Sequence, residues 1–192
     1  MRVSTNTHPF NQQIESQNLM SENQVQIQSW APFAEFDVCL FCLGVSSQDM
    51  KEEEYRRITY DITLSVAETL VRLNPQITFI YVSGSGTDST ERGRSMWARV
   101  KGKTENDLLQ LPFKAAYMFR PGLILPFHGV RSKTKLYQFM YNVLKPFYPL
   151  LSKSNSIITS EQLGKAMIIV VSTGFPSPII ESTEIKKISV KH

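Results

Sequence analysis

Three short stretches join an apolar run to small residues: Leu43-Gly44-Val45-Ser46, Val82-Ser83-Gly84-Ser85-Gly86 and Arg120-Pro121-Gly122. In a parallel α/β sheet, ligands settle beyond the carboxyl ends of the strands, and glycine there lets a ligand approach the backbone closely. One such end reads as an ordinary turn, whereas three in series predict a ligand crevice. Arg92, Arg94, Arg99, Lys101 and Lys103 form a basic cluster. It reads either as a solvated helix face or as an attraction for cofactor phosphates. Cys39-x-x-Cys42 has the spacing of a redox pair. Redox cysteines sit at helix N-termini, where the thiolate is stabilised. Here the surrounding run is strand-like, so positions three apart point to opposite faces, and a buried structural role is expected. His8, His128 and His192 are far apart, so no Cys/His cluster has zinc-site spacing and no metal is expected.

Those residues need a scaffold, and composition bounds it. The 192 residues suit one domain with a sizeable core. Hydrophobic residues at 42% and charged residues at 20% argue against wholesale disorder. Lys+Arg 21 against Asp+Glu 17 leaves a net charge of +4, which permits an anionic small molecule but does not argue for nucleic acid. No apolar run is long enough to span a bilayer, and the Gln- and Asn-rich N-terminus lacks the apolar core of a secretory signal. Two cysteines exclude a disulfide framework, so a cytoplasmic address is expected.

Periodicity divides the chain into a polar segment, 1–30, and a single domain, 31–192. Phe36 to Leu43 is nearly all apolar and closed by Gly44, which predicts a strand buried on both faces. Asp49, with Glu52 three residues on, predicts a helix N-cap. The helix runs to Leu73 with an apolar stripe of Tyr55, Ile58, Ile62, Val66, Thr69 and Leu73. Glu52-Glu53-Glu54 suit its first turn, and Asn74-Pro75 stops it. Ile77 to Ser83 predicts a second buried strand, Arg94 to Gln110 a second helix, and Ala115 to Arg120 a third strand. This order is that of an α/β fold with a parallel sheet. Beyond it, residues 123–192 read as a small C-terminal cap. They comprise a loop with basic tips, an aromatic stretch from Leu136 to Leu151, a helix from Ser160 to Ser172 with Ser160 as cap, a short strand at Pro178 to Glu181, and a last turn of helix.

Three runs taken in order resemble a family: Phe79 to Gly86, Trp97-Ala98-Arg99-Val100-Lys101-Gly102-Lys103-Thr104-Glu105, and Phe119-Arg120-Pro121-Gly122. They look like the short-chain dehydrogenase/reductases, in the atypical or extended branch of NAD(P)-binding, nucleoside-diphosphate-sugar epimerase-like proteins. That branch shows a strand ending in Val-Ser, a Tyr-x-x-x-Lys helix often followed by Gly-x-x-Glu, and a strand ending in Arg-Pro. The resemblance covers about Phe36 to Gly122 and implies a Rossmann-like parallel sheet flanked by helices. It implies NAD or NADP as cofactor and an unknown small-molecule substrate. By the same resemblance, Lys101 is the lysine that holds the nicotinamide ribose, and Ser83 or Ser85 is the serine that orients the substrate. Leu43, Gly44, Val45, Ser83, Lys101, Arg120, Pro121 and Gly122 would line the cofactor.

Two departures stand out against this family pattern. The tyrosine position is Trp97, whose indole offers one N–H donor and no useful titration. Ordinary oxidoreductase turnover is therefore expected to be absent or very slow. The first strand and its Gly-x-x-Gly-x-x-Gly turn, which brings a helix N-terminus to the pyrophosphate, have no counterpart, because no glycine precedes Gly44. The family's acidic adenine contact is also missing, with Asn18 nearest its place. The expectation is a family member without its first β-α-β portion, through a shortened gene or a start codon assigned too late. The competing expectations are a non-catalytic dinucleotide-binding or regulatory module, and a truncated product without ligand function.

Overall fold

A computed structural model describes residues 32, 35–125 and 156–190. The polar N-terminal segment, the aromatic stretch Leu136 to Leu151 and all three histidines lie outside the described residues. Four parallel strands form the main sheet, in the order β1 (Val38–Phe41), β2 (Thr78–Val82), β3 (Ala115–Arg120) and β6 (Ile179–Glu181). A small parallel pair, β4 (Leu123–Leu125) and β5 (Ile157–Thr159), stands apart from it. The result is a Rossmann-like α/β fold with helices on both faces.

Alternation along the strands sorts the core into two halves. Phe79 and Tyr81 of β2 and Met118 of β3 face α2 (Ile62–Leu73) and α3 (Met96–Gln110), packing with Leu64, Ala67, Leu70 and Leu108. Ile80 and Phe119 face the other way, against Ala166, Met167 and Val170 of α4 (Ser160–Thr173) and Ile185 of α5 (Ser182–Val190). Burial of this apolar surface on both faces is the main force holding the sheet between its helices.

Several sequence expectations change here. The strand expected to be buried on both faces is β1, and among the described residues it lies at the end of the sheet. Cys39 and Phe41 pack on the α2/α3 side, but Leu40, on the opposite face, is 48% exposed. An apolar run alone does not reveal which strand lies at the edge. Asp49 is not the N-cap of the first helix: its φ of 60° puts it in a left-handed turn, and α1 (Glu52–Arg56) starts after Lys51 with no side-chain cap. Three carboxylates in the first turn supply the favourable charge instead.

The helix then passes through a π turn, Arg57–Asp61, before α2. The wider turn carries the inward face from Tyr55 to Thr59 and Thr63, while Ile62 of the expected stripe is left 41% exposed. Thr63 is tolerated inside because its Oγ1 donates to the Thr59 carbonyl at 2.6 Å. At α4 the cap is Thr159 rather than Ser160. Its hydroxyl accepts from the Gln162 N–H while the Gln162 side chain accepts from the Thr159 N–H, a reciprocal capping box.

Candidate functional site

Because β1, β2 and β3 run parallel, their carboxyl ends come out on one edge of the sheet, so the three stretches singled out in the sequence share that edge. The loop after β2 stays joined to the end of β3. The Ser83 N–H donates to the Phe119 carbonyl at 2.9 Å, and the Ser85 N–H to the Pro121 carbonyl at 2.8 Å. Gly86 has a φ of +88°, and a Cβ there would lie 3.5 Å from the Trp97 indole. Glycine thus lets the loop turn tightly against the tryptophan. Leu43, Gly44 and Val45 are exposed, with no atom within 4 Å of where a Gly44 Cβ would stand.

Beneath these ends lies a buried charge network. Glu105 of α3 is fully buried, and Arg120 at the end of β3 is 9% exposed. Arg120 Nε donates to both Glu105 oxygens at 3.0 and 3.1 Å, and Nη2 donates to Oε2 as well. Its other donors reach Glu181 of β6 at 3.1 Å and the Ser89 hydroxyl at 2.6 Å. One guanidinium thus ties together a helix, two strands and a loop. Five fixed donors suit arginine to this role, and lysine would not replace it.

The network separates the two candidate serines. Ser83 is buried, with its hydroxyl directed to Glu105 Oε1 and to the Phe119 carbonyl. It holds the carboxylate in place and does not present a donor to a ligand. Ser85 is exposed on the same loop. Glu181 and Ser89 carried no signal in the sequence, since they lie 61 and 31 residues from Arg120.

Lys101 reaches across the end of β2, and its ammonium donates to the Ser83 carbonyl. Burial holds its pKa below the ordinary lysine value, against a smaller opposing pull from Glu105. Trp97 lies one turn earlier and is half-buried. Tyr81 is no candidate acid/base at these strand ends. It is 1% exposed, and burial pushes its phenol well above the usual range.

The rest of the basic cluster is not one patch. Arg99 pairs with Glu52 at 2.8 Å, and Lys103 pairs with Asp107 at 2.9 Å. The cysteines are also not both buried: Cys39 is half-buried and Cys42 is exposed, one residue past β1. Burial pushes the Cys39 thiol up to about 11, the opposite of a reactive redox cysteine.

Lys101, the exposed backbone at Gly44 and the loop after β2 lie at the same ends of the strands. The helix that follows β1 opens with Glu52, Glu53 and Glu54, whose charge suits its N-terminal end. Among the described residues, no group of His, Cys, Asp and Glu could hold a metal ion, and no helix is long and apolar enough to cross a membrane.

No protein-family model matches the chain. The chain is similar to Protein FMP52-2, mitochondrial, of Scheffersomyces stipitis, with 32% identity over 81 residues. The match takes in 42% of this chain and 33% of that protein, so the chain spans about a third of the relative's length.

Proposed function

We propose that this chain is a nicotinamide-dinucleotide-binding module of the short-chain dehydrogenase kind, of the epimerase-like branch, that binds NAD or NADP without ordinary turnover. The observation that carries this reading is the placement of Lys101: its ammonium lies at the carboxyl end of β2, one helical turn from a tryptophan. There it is within reach of ribose hydroxyls bound over the strand ends. The cofactor, when bound, supplies or accepts hydride. The chain's own part is to hold the ribose through Lys101 and to pack the ring against the loop from Gly84 to Gly86. Trp97 offers no proton to a substrate oxygen.

Titration of the purified chain with NADH and NADPH, followed by indole fluorescence, is expected to show saturable binding at or below about 1 mM. No binding at that concentration defeats the reading. Wild-type protein is expected to turn over no carbonyl or sugar-nucleotide substrate. Trp97→Tyr, which restores a phenol one turn before Lys101, is expected to raise turnover by at least about 10²-fold.

Both cysteines are free, which fits a reducing compartment such as the cytoplasm. The relative's name places that protein in the mitochondrion.

A further inference from the structure

The two end strands of the described sheet are finished differently. β6 follows Pro178 and closes on Glu181, which Arg120 holds. Proline and charge are common devices that keep a sheet end from pairing with another chain. From Val38 to Val45, β1 and the residues after it carry neither. The Thr78 N–H donates to the Asp37 carbonyl at 2.8 Å, so Asp37, Cys39 and Phe41 turn their peptide groups towards β2. Val38 and Leu40 turn theirs the other way, off the end of the described sheet. Leu40 is exposed on one face of the strand, and Leu43 and Val45 are exposed just beyond it. A short, apolar, uncharged run of this kind is suited to pairing with its own sequence.

We propose that β1 is a self-association surface, to which β1 of a second copy of this chain adds as an antiparallel strand. The twofold axis passes between the two Leu40 residues. In this register they exchange a pair of N–H···O bonds, and Val38 stands opposite Cys42 of the other copy. Asp37 falls opposite the neutral Leu43, and Glu35 opposite Val45, so no carboxylate faces another. The two Leu40 side chains meet on one face of the joined sheet. A second copy is the occupant because the stretch complements itself in pattern, in apolar character and in charge, as a twofold interface requires. Such a strand pair buries less than the roughly 800 Å² per partner of a standard complex, so the dimer is weak and depends on concentration. The proposal does not depend on dinucleotide binding.

Sedimentation velocity of the full-length chain, from about 1 to about 200 µM, measures the association. The mass is expected to rise from one chain towards two, with a dissociation constant on the order of 10 µM. Leu40→Lys is expected to weaken association at least about tenfold. Ile168→Lys, at an exposed apolar residue of α4, is expected to leave it unchanged. In a Cys42→Ser background, Leu40→Cys is expected to give a disulfide-linked dimer with oxidised glutathione, because paired Cα atoms about 5.5 Å apart are within disulfide reach. A chain that stays monomeric at the highest concentration overturns the proposal. If its Leu40 amide is then protected from hydrogen exchange, the rest of the chain covers β1 instead. Association that Leu40→Lys does not weaken also overturns it. Should that variant fail to fold, the cross-link decides, and no linked dimer from Leu40→Cys overturns the proposal.

Discussion

Replacing Glu105 by glutamine is expected to lower the unfolding free energy by about 3–5 kcal/mol. The change keeps the shape of the side chain and removes only its charge. Arg120, 9% exposed, then keeps its positive charge in a place where water cannot solvate it. Glu181 remains at 3.1 Å, but its side chain is nearly half exposed and its attraction is screened. Arg120→Met is expected to cost more, because it leaves the fully buried carboxylate with the Ser83 hydroxyl as its main donor. The double variant is expected to lose much less than the sum of the two, since removing both charges removes the uncompensated one. Urea denaturation of the four proteins measures this. A loss under about 1 kcal/mol for either single variant would mean that the ion pair is not what fastens the strand ends together.

Gly102→Ala is expected to destabilise the protein by at least about 2 kcal/mol, although alanine is the better helix former by about 1 kcal/mol. A Cβ at position 102 would lie 1.8 Å from the Asp88 carbonyl oxygen and 2.5 Å from its carbon. Both are backbone atoms, so no rotamer change relieves the clash. The loop is also anchored to the same helix, where the Asp88 N–H donates to the Ala98 carbonyl at 3.0 Å. Separating loop from helix therefore breaks that bond and displaces the loop around Asp88. Thermal unfolding reports the stability change, and indole fluorescence reports the movement at Trp97. A variant as stable as wild type would show that loop and helix are not in contact at Gly102.

Both residues were visible in the sequence as the Gly-x-x-Glu that follows Lys101, yet only as a pattern. The structure supplies the physical reasons: one position must lack a side chain, and the other must neutralise an arginine on a neighbouring strand. Elements with strong local signals were legible in the same way. The β-branched run from Thr78 to Val82 and the Ala115–Arg120 strand lie where their composition indicates. What local patterns do not carry is position within the sheet. Leu40 reads as buried but lies on the end strand of the described sheet, and Ile62 reads as inward but lies past a π turn. The partner of the Ser83 hydroxyl was equally out of reach, because only tertiary packing brings Glu105 near.

The last strand of the main sheet has a consequence for synthesis on the ribosome. The first three strands and their helices are complete once Arg120 has emerged, but the face carrying Ile80 and Phe119 is covered by residues from Ile158 to Ile188. Arg120 gains its second carboxylate partner only with Glu181, and the Gly122 N–H meets the Ser182 hydroxyl only one residue later. During elongation the nascent chain therefore lacks the complete set of α4 and α5 contacts on that face for the time taken to add some 60 residues, a few seconds to about ten at ordinary elongation rates. In that window a chaperone can protect the chain or a protease can remove it, and a ribosome that stalls before α4 leaves a product without the Ala166, Met167 and Val170 that pack on that face.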